Sequence, residues 1–382
     1  MPLPFRLIAL PASIALTAAL VGLQVAPSDG GSQSAPPAKP MTASAGRAVL
    51  EPGATNSCSS RPLQAMAVER QRGMSASLLR GSAFATKLGG IGSRAVVLDA
   101  GTYTLKDFLS GTARIDSGIL PQSAAGLIGA GSGRTTIDLQ KDSSTRASVI
   151  PRTEYEINPL NVLRISSERP VVGGFTLKGS PQGHMYNGLR FDRGVDGLVS
   201  DVRIVGIPGD MDRPPGETFG INDFRSRGAL YEHVEVDGAG VGAAGFAANK
   251  SKDITLCDVY SHDNAISMGF AFWGVDGIRM VDCVAVDNGF TGFNFERVGG
   301  DVTLIRPRAE NNRWDMRVVS DLGSAKYTIV DPDLTHTQVP GRWTIEVPST
   351  YWKHPSLQKR SDITLIVDGK KRDDLIRFVQ PY

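Results

Sequence analysis

Three segments of this chain align without a gap: SKDITLCDVYSHDN (251–264), VDGIRMVDCVAVDN (275–288) and GGDVTLIRPRAENN (299–312). Asn264, Asn288 and Asn312 are evenly spaced, since 288 − 264 = 24 and 312 − 288 = 24. Asp258 with Asp282, and Ile254 with Ile278, keep the same interval. A glycine-led apolar stretch stands ahead of each segment: GFAANK (245–250), GFAFWG (269–274) and GFNFER (292–297). A fixed period in this range means one structural unit stacked on copies of itself.

The length of the period identifies the unit. Twenty-four residues hold two or three short strands and their corners, at roughly 3.3 Å per residue. They do not hold a pair of helices, because Gly, Asp, Asn, Val and Thr dominate and no apolar stripe persists at helical spacing. Coils of this kind stack as a parallel β-helix, each burying its inward residues on its neighbours. Alternation in GFNFER places Phe293 and Phe295 on one face and Asn294 and Glu296 on the other. The same register predicts an interior column of Phe246, Phe270 and Phe293, and a second of Phe272 and Phe295. The corner asparagines are expected to form a ladder of amide hydrogen bonds.

The composition agrees with a turn-rich β protein: 382 residues with 43 glycines and 7% aromatics. The formal net charge is only +2, and no basic block or aromatic–basic stripe points to nucleic acid. Three cysteines are too few for a disulfide scaffold. Cys257 and Cys283 fall on adjacent coils at non-equivalent positions. Two readings stand: an offset bridge, or an inward Cys283 acting as a small apolar residue.

Residues 1–26 pair Arg6 with an apolar run and read as a secretory signal or an uncleaved N-terminal anchor. Residues 27–60, rich in Pro, Ser, Ala and Gly, read as a disordered linker. The β-helix domain is expected over 61–340. It opens with a helical cap drawn from PLQAMAVERQRGMSASLLRGSAFATKL (62–88) and is followed by a C-terminal cap over 341–382. The insertion IPGDMDRPPGET (207–218) is expected on the flank, where solenoid insertions emerge.

Two further stretches, AVVLDAGTYTL (95–105) and AAGLIGAGSGRTTIDL (124–139), resemble the first coils of the pectate-lyase-like superfamily of right-handed parallel β-helices, as do the later coils. The resemblance covers about residues 92–335 and implies an all-β, right-handed parallel β-helix. The superfamily includes polysaccharide lyases, glycoside hydrolases, uronate epimerases, esterases, phage tailspikes and non-enzymatic surface proteins. The chain lacks the paired-aspartate and Gly-His-Gly set of polygalacturonase-like hydrolases. It also lacks the Tyr-Gly-Phe/Ile-Asp-Pro-His motif of alginate epimerases and the Trp-Ile-Asp-His and Arg-x-Pro-x-x-Arg signatures of pectate lyases. GAGSGRT (129–135) is glycine-rich but has neither the P-loop form nor a following helix.

Candidate chemistry therefore rests on the outward rows of the glycine-led strands. One row holds Arg190, Asn222, Ala247, Ala271, Asn294 and Arg317; the next holds Asp192, Asn249, Trp273 and Glu296. An exposed tryptophan beside a carboxylate, amides and arginines suits a sugar chain; a plain solvated sheet face is the alternative. The catalytic candidates are Glu296, Asp223 and Arg225, with Arg227 beside them, and Asp192, His184, His233 and His262 are the other acid–base candidates. Trp273, Asn294, Asn249, Asp192, Arg190 and Arg317 are the candidate substrate contacts. His184, His233 and His262 read as surface or structural histidines. Asp210, Asp212 and Glu217 in the insertion offer the one sequence argument for Ca²⁺, and no residue cluster suggests another metal. The expected protein is exported and acts on a polysaccharide. The alternative is a non-catalytic surface protein that binds one, with a membrane contact only through residues 1–26.

Overall fold

A computed structural model describes residues 61–72, 74–75, 94–108, 124–139, 161–179, 187–207, 218–238, 244–264, 267–319, 325–334, 345–346 and 363–375. The chain divides into Met1–Arg47, which lies outside these residues, and Ala48–Tyr382, which carries the fold. Residues 1–60, the acidic residues of the insertion, and His184 also lie outside the described residues.

The fold is a parallel β-helix. Eight strands form one all-parallel sheet, called sheet B here, and each pairs with the next copy along the chain. They run Asn161–Ile165, Asn187–Asp192, Phe219–Phe224, Ala244–Asn249, Met268–Trp273, Thr291–Glu296, Trp314–Val319 and Ile345–Glu346. The remaining strands form a 17-stranded sheet A, parallel except for its final pair. The rungs are spaced as the sequence repeat requires. Ile254 pairs with Ile278 and Phe246 with Phe270, 24 residues apart. Leu189 and Ile221 pair at an interval of 32, and the extra residues fall in the 207–218 insertion.

Corners are made by single residues in left-handed conformation. Arg193, Arg225, Lys250 and Arg297 turn the chain as it leaves sheet B, with φ of 54–59°. Asp201, His233, Asp258, Asp282 and Arg306 bend sheet A midway, and Asp263, Asp287 and Asn311 close the coil before the asparagines. Asp and Asn tolerate this region better than most residues, which explains why they mark the repeat. The GAGSGRT turn belongs to the same scaffold: Ser132 donates from its backbone N (3.0 Å) and Oγ (2.5 Å) to the Asp201 carboxylate. Those donors are therefore taken by a protein anion, not left for a phosphate.

The interior follows the alternation. Phe246, Phe270, Phe272, Phe293 and Phe295 are all fully buried. Phe270 stacks on Phe293 (5.0 Å, 8°) and Phe272 on Phe295 (5.1 Å, 7°). The asparagine ladder is present. Asn264 Nδ2 donates to Asn288 Oδ1 (2.5 Å), and Asn288 Nδ2 donates to Asn312 Oδ1 (2.8 Å). Asn312 Nδ2 closes the set on the Ala285 carbonyl (2.9 Å). This ladder explains the glycines that lead each sheet B strand. A Cβ on Gly245 would sit 2.2 Å from Ser261 Oγ, and one on Gly269 or Gly292 would sit 2.9 or 3.0 Å from the Asn288 or Asn312 amide nitrogen. Asn288→Ala leaves two buried neighbours without their partner. It should destabilise the fold by about 1–3 kcal/mol in denaturant titrations; a variant as stable as the parent would remove the ladder from the account.

The N-terminal helix Arg61–Arg72 lies along the outer face of the first rungs of sheet A. Met66 packs there with Ala95, Ile128, Val171 and Leu198. The C-terminal segment extends the coil one rung beyond the last repeat visible in the sequence. Ile363–Val367 pairs with Lys326–Val330, then folds into the antiparallel contact with Lys370–Lys371. Cys257 is disulfide-bonded, while Cys283 is free and buried. A Cys257–Cys283 bridge is thereby excluded, because the two residues occupy different rows of the coil. Burial pushes the Cys283 thiol up to about 12, so it is an inert core residue. The remaining cysteine, Cys58, lies outside the described residues.

Candidate functional site

The outward rows of sheet B are those the alternation gives. Arg164, Arg190, Asn222, Ala247, Ala271, Asn294 and Arg317 are in register across the strands. Asp192, Phe224, Asn249, Trp273 and Glu296 form the adjacent row. The face is not an open solvated sheet, however. Ala247, Ala271 and Asn294 are fully buried, and Asn222 and Asp192 nearly so. Part of the cover comes from two aromatic rings. Phe219 and Trp273 meet edge to face at 5.9 Å, and both pack on the alanines of the strand between them. Trp273 was expected to be an exposed platform; it is instead partly buried. The small Ala244 and Ala247 side chains between the rings let Phe219 reach it.

Glu296 is the centre of the best-organised polar group on this face. Its Oε2 accepts from the Trp273 indole N–H (3.1 Å), and its Oε1 accepts from Asn294 Nδ2 (3.2 Å). Arg317 approaches Oε1 to 3.7 Å and lies over the Phe290 ring. The carboxylate keeps 29% of its side chain exposed. It is thus oriented by two hydrogen-bond donors and an ion pair, yet reachable. Two buried oxygens on the adjacent row, Asn222 Oδ1 and Asn294 Oδ1, have no hydrogen-bond partner. Such groups cost free energy unless something supplies a donor.

A second group lies at the other end of the face. Arg164 holds the Asp192 carboxylate, and Arg190 Nε lies 3.8 Å from it. Phe224 lies between two guanidiniums, with Arg190 4.4 Å and Arg225 4.9 Å from its ring centre. Arg164 and Phe224 were not among the sequence candidates. The signal for Arg164 was present: NVLRI (161–165) and NGLRFD (187–192) share Asn, Leu and Arg at matching positions.

Asp223 requires a correction. It faces the interior between Phe191 and Ala248, fully buried, and not the outer surface with Arg225 and Arg227. The left-handed turn at Arg225 (φ 54°) sends that arginine outward two residues after Asp223 points in. Asp223 accepts from Tyr231 Oη (2.7 Å), Ser251 Oγ (2.5 Å) and Ser226 Oγ. Burial raises its pKa, and the three hydroxyls partly counter that. No ligand on the outer face reaches it, so the acid–base role expected for Asp223 does not fit its place.

Sheet A presents one further cluster. His262 Nε2 faces Glu235 Oε1 (3.1 Å), its Nδ1 faces Asp263 Oδ2 (2.6 Å), and its ring stacks on Tyr260 at 4.1 Å. Glu235, Asp237 and His262 lie close enough together for a metal ion. Arg203 already pairs with both carboxylates (3.1 and 2.9 Å), and both imidazole nitrogens face acids. A divalent ion would have to displace the guanidinium and the proton, so these residues fit an ion-pair network better than a metal centre. Burial lowers the His262 pKa, but the hydrogen bonds to Glu235 and Asp263 and the charge of Asp237 outweigh it, and the net shift is upward. A raised folded-state pKa contributes stability that is fully present below about pH 6.5 and is lost as pH rises through the folded value. The parent should therefore lose denaturant resistance between pH 6 and an alkaline pH by more than His262→Gln does. Identical pH profiles would contradict this. His233, with its Nδ1 2.6 Å from Asp258 Oδ2, is a corner residue on the exposed edge.

No protein-family model matches this chain, and no curated protein matches it. Among solved structures, it is similar to the A-module of the mannuronan C-5 epimerase AlgE4 of Azotobacter vinelandii. That similarity covers 70% of this chain and 71% of the other, at 14% identity and a TM-score of 0.35. The A-module of the mannuronan C-5 epimerase AlgE6 of Azotobacter vinelandii matches over 79% of this chain and 94% of the other, at 14% identity and a TM-score of 0.28.

Proposed function

We propose that this protein is an exported, carbohydrate-active β-helix protein that holds a polysaccharide along the outer face of sheet B and transfers a proton through Glu296. The observation that carries the reading is the Glu296 carboxylate. It is held by Trp273 and Asn294 beside Arg317 and still exposed.

The arrangement favours one type of reaction. Two-carboxyl glycoside hydrolysis needs its acids about 5–9.5 Å apart. Among the described residues, three carboxylates fall on the outer rows by register: Asp192, Glu296 and Glu346, which pairs with Arg317. Asp192 lies four strand spacings from Glu296, about 19 Å, and Glu346 two, about 10 Å, so the first pair is far outside that range and the second at its upper limit. One oriented carboxylate beside an arginine suits removal of a proton from a carbon next to a sugar carboxylate. Glu296 takes the proton, and Arg317 stabilises the negative charge that develops on the substrate. Elimination or epimerisation follows from that step, and glycosidic hydrolysis does not. The disulfide at Cys257 supports export, because such bonds persist in oxidising compartments.

Trp273 both orients Glu296 and lines the face, so Trp273→Ala should weaken oligosaccharide binding by about 1–2 kcal/mol. Titration calorimetry with a panel of uronate oligosaccharides checks this. Equal affinity in parent and variant would move the binding face elsewhere.

A further inference from the structure

We propose that Arg164, Arg190, Arg193 and Arg225 form a separate anion-binding subsite, which takes a carboxylate or sulfate group of the polysaccharide about four strand spacings (roughly 19 Å) from Glu296. The inference rests on the reading of the sheet B face given above. It adds a second contact point and a minimum length for the ligand, which must span from Glu296 to the arginines.

Two guanidiniums, Arg164 and Arg190, meet a single counter-charge, and two more, Arg193 and Arg225, stand near enough for their charges to act on Arg190. Arg164 and Arg190 flank Asp192, which is itself nearly buried. Arg193 and Arg225 stand at the adjoining corner in left-handed conformation, and Arg225 lies over the Phe224 ring that Arg190 also covers. One carboxylate cannot neutralise the group, and the excess is felt at Arg190. Burial lowers the pKa of this guanidinium, Asp192 raises it, and the charges of Arg164, Arg193 and Arg225 lower it again. Arg190 Nε is a buried donor without a hydrogen-bond partner. A buried cation with an unused donor and like charges around it is costly, and an incoming anion relieves both costs. Arg190 and Arg225 both lie against the Phe224 ring, a contact that leaves their N–H groups free to bond a carboxylate or sulfate. Between this group and Glu296 the outer rows carry Ala247 and Ala271, which the Phe219 and Trp273 rings cover, so a chain that joins the two groups passes over those rings.

The test is calorimetric binding of three probe sets to the full chain. These are uronate oligosaccharides of increasing length, their carboxyl-reduced neutral counterparts and sulfated oligosaccharides, with inorganic sulfate as the bare anion. Arg190→Gln and the double variant Arg193→Gln/Arg225→Gln are compared with the parent. The double variant changes exposed corner residues, so it keeps the test valid if Arg190→Gln fails to fold. The expected result is a loss of about tenfold or more in affinity for the acidic ligand, the size of one charged hydrogen bond. Salt should weaken parent binding more than variant binding. Affinity should rise sharply once the oligosaccharide is long enough to span both groups, and the uronate and sulfate arms decide which anion is taken. If acidic and neutral oligosaccharides bind equally, or the variants bind the acidic ones as the parent does, the subsite is refuted while the Glu296 reading stands. If no oligosaccharide binds but sulfate binds in an Arg190-dependent way, the subsite stands and the polysaccharide reading falls. If neither binds, both fall.

Discussion

Replacing Phe293 with Ala should cost about 3–5 kcal/mol, the range for truncating a buried phenylalanine. Phe293 is fully buried, stacks on Phe270 at 5.0 Å, and pairs with Met316 on the next rung. Both sheets that enclose the interior are held by their hydrogen-bonded rungs, so neither moves into the space. Each rung rests on its neighbours, and stacked strands lie about 4.7–4.9 Å apart whatever fills the interior. The lost ring therefore leaves a cavity and also removes a stacked aromatic contact. Reversible denaturant melts measure the loss. A change below about half a kcal/mol would mean that Phe293 is not inside and that the whole sheet B register is shifted by one residue.

Glu296→Gln should lower turnover by about a hundredfold or more while leaving binding nearly intact, as expected for removal of a general base. The amide keeps the shape: its oxygen can still accept from Trp273, and its nitrogen can donate to the unpartnered Asn294 Oδ1 once that amide flips, so the face should remain assembled. It cannot accept the proton. Arg317 lies on the adjacent outer row, one strand further on, and would still meet the substrate carboxylate. The split is therefore diagnostic: a fall in kcat with an unchanged dissociation constant marks a base. A parallel loss of both would mean that Glu296 only organises the surface, which is the behaviour of a binding protein.

Much of this architecture was legible in the sequence because a solenoid repeats its constraints. The interval of 24 residues set the strand pairing, and alternation within GFNFER placed Phe293 inside and Glu296 outside. The asparagine ladder could be read from spacing alone. The features that were missed depend on contacts between rows or on backbone conformation, which spacing does not carry. Asp223 and Arg225 are two residues apart and would share a face in a regular strand, but the left-handed turn at Arg225 separates them. Trp273 is covered by Phe219, two strands away, and only because the intervening residues are alanines. Arg164 went unnoticed because the early coils vary in length, with intervals of 26 and 32 residues before the regular repeat begins.

The most direct test of proton transfer at Glu296 is solvent isotope incorporation. Uronate polysaccharides are incubated with the protein in D₂O, and the products are analysed for unsaturated ends and for deuterium at the carbon next to the carboxylate. The account expects one or both in the parent, with the rate lost in Glu296→Gln. New reducing ends with neither unsaturation nor deuterium would show hydrolysis and contradict it.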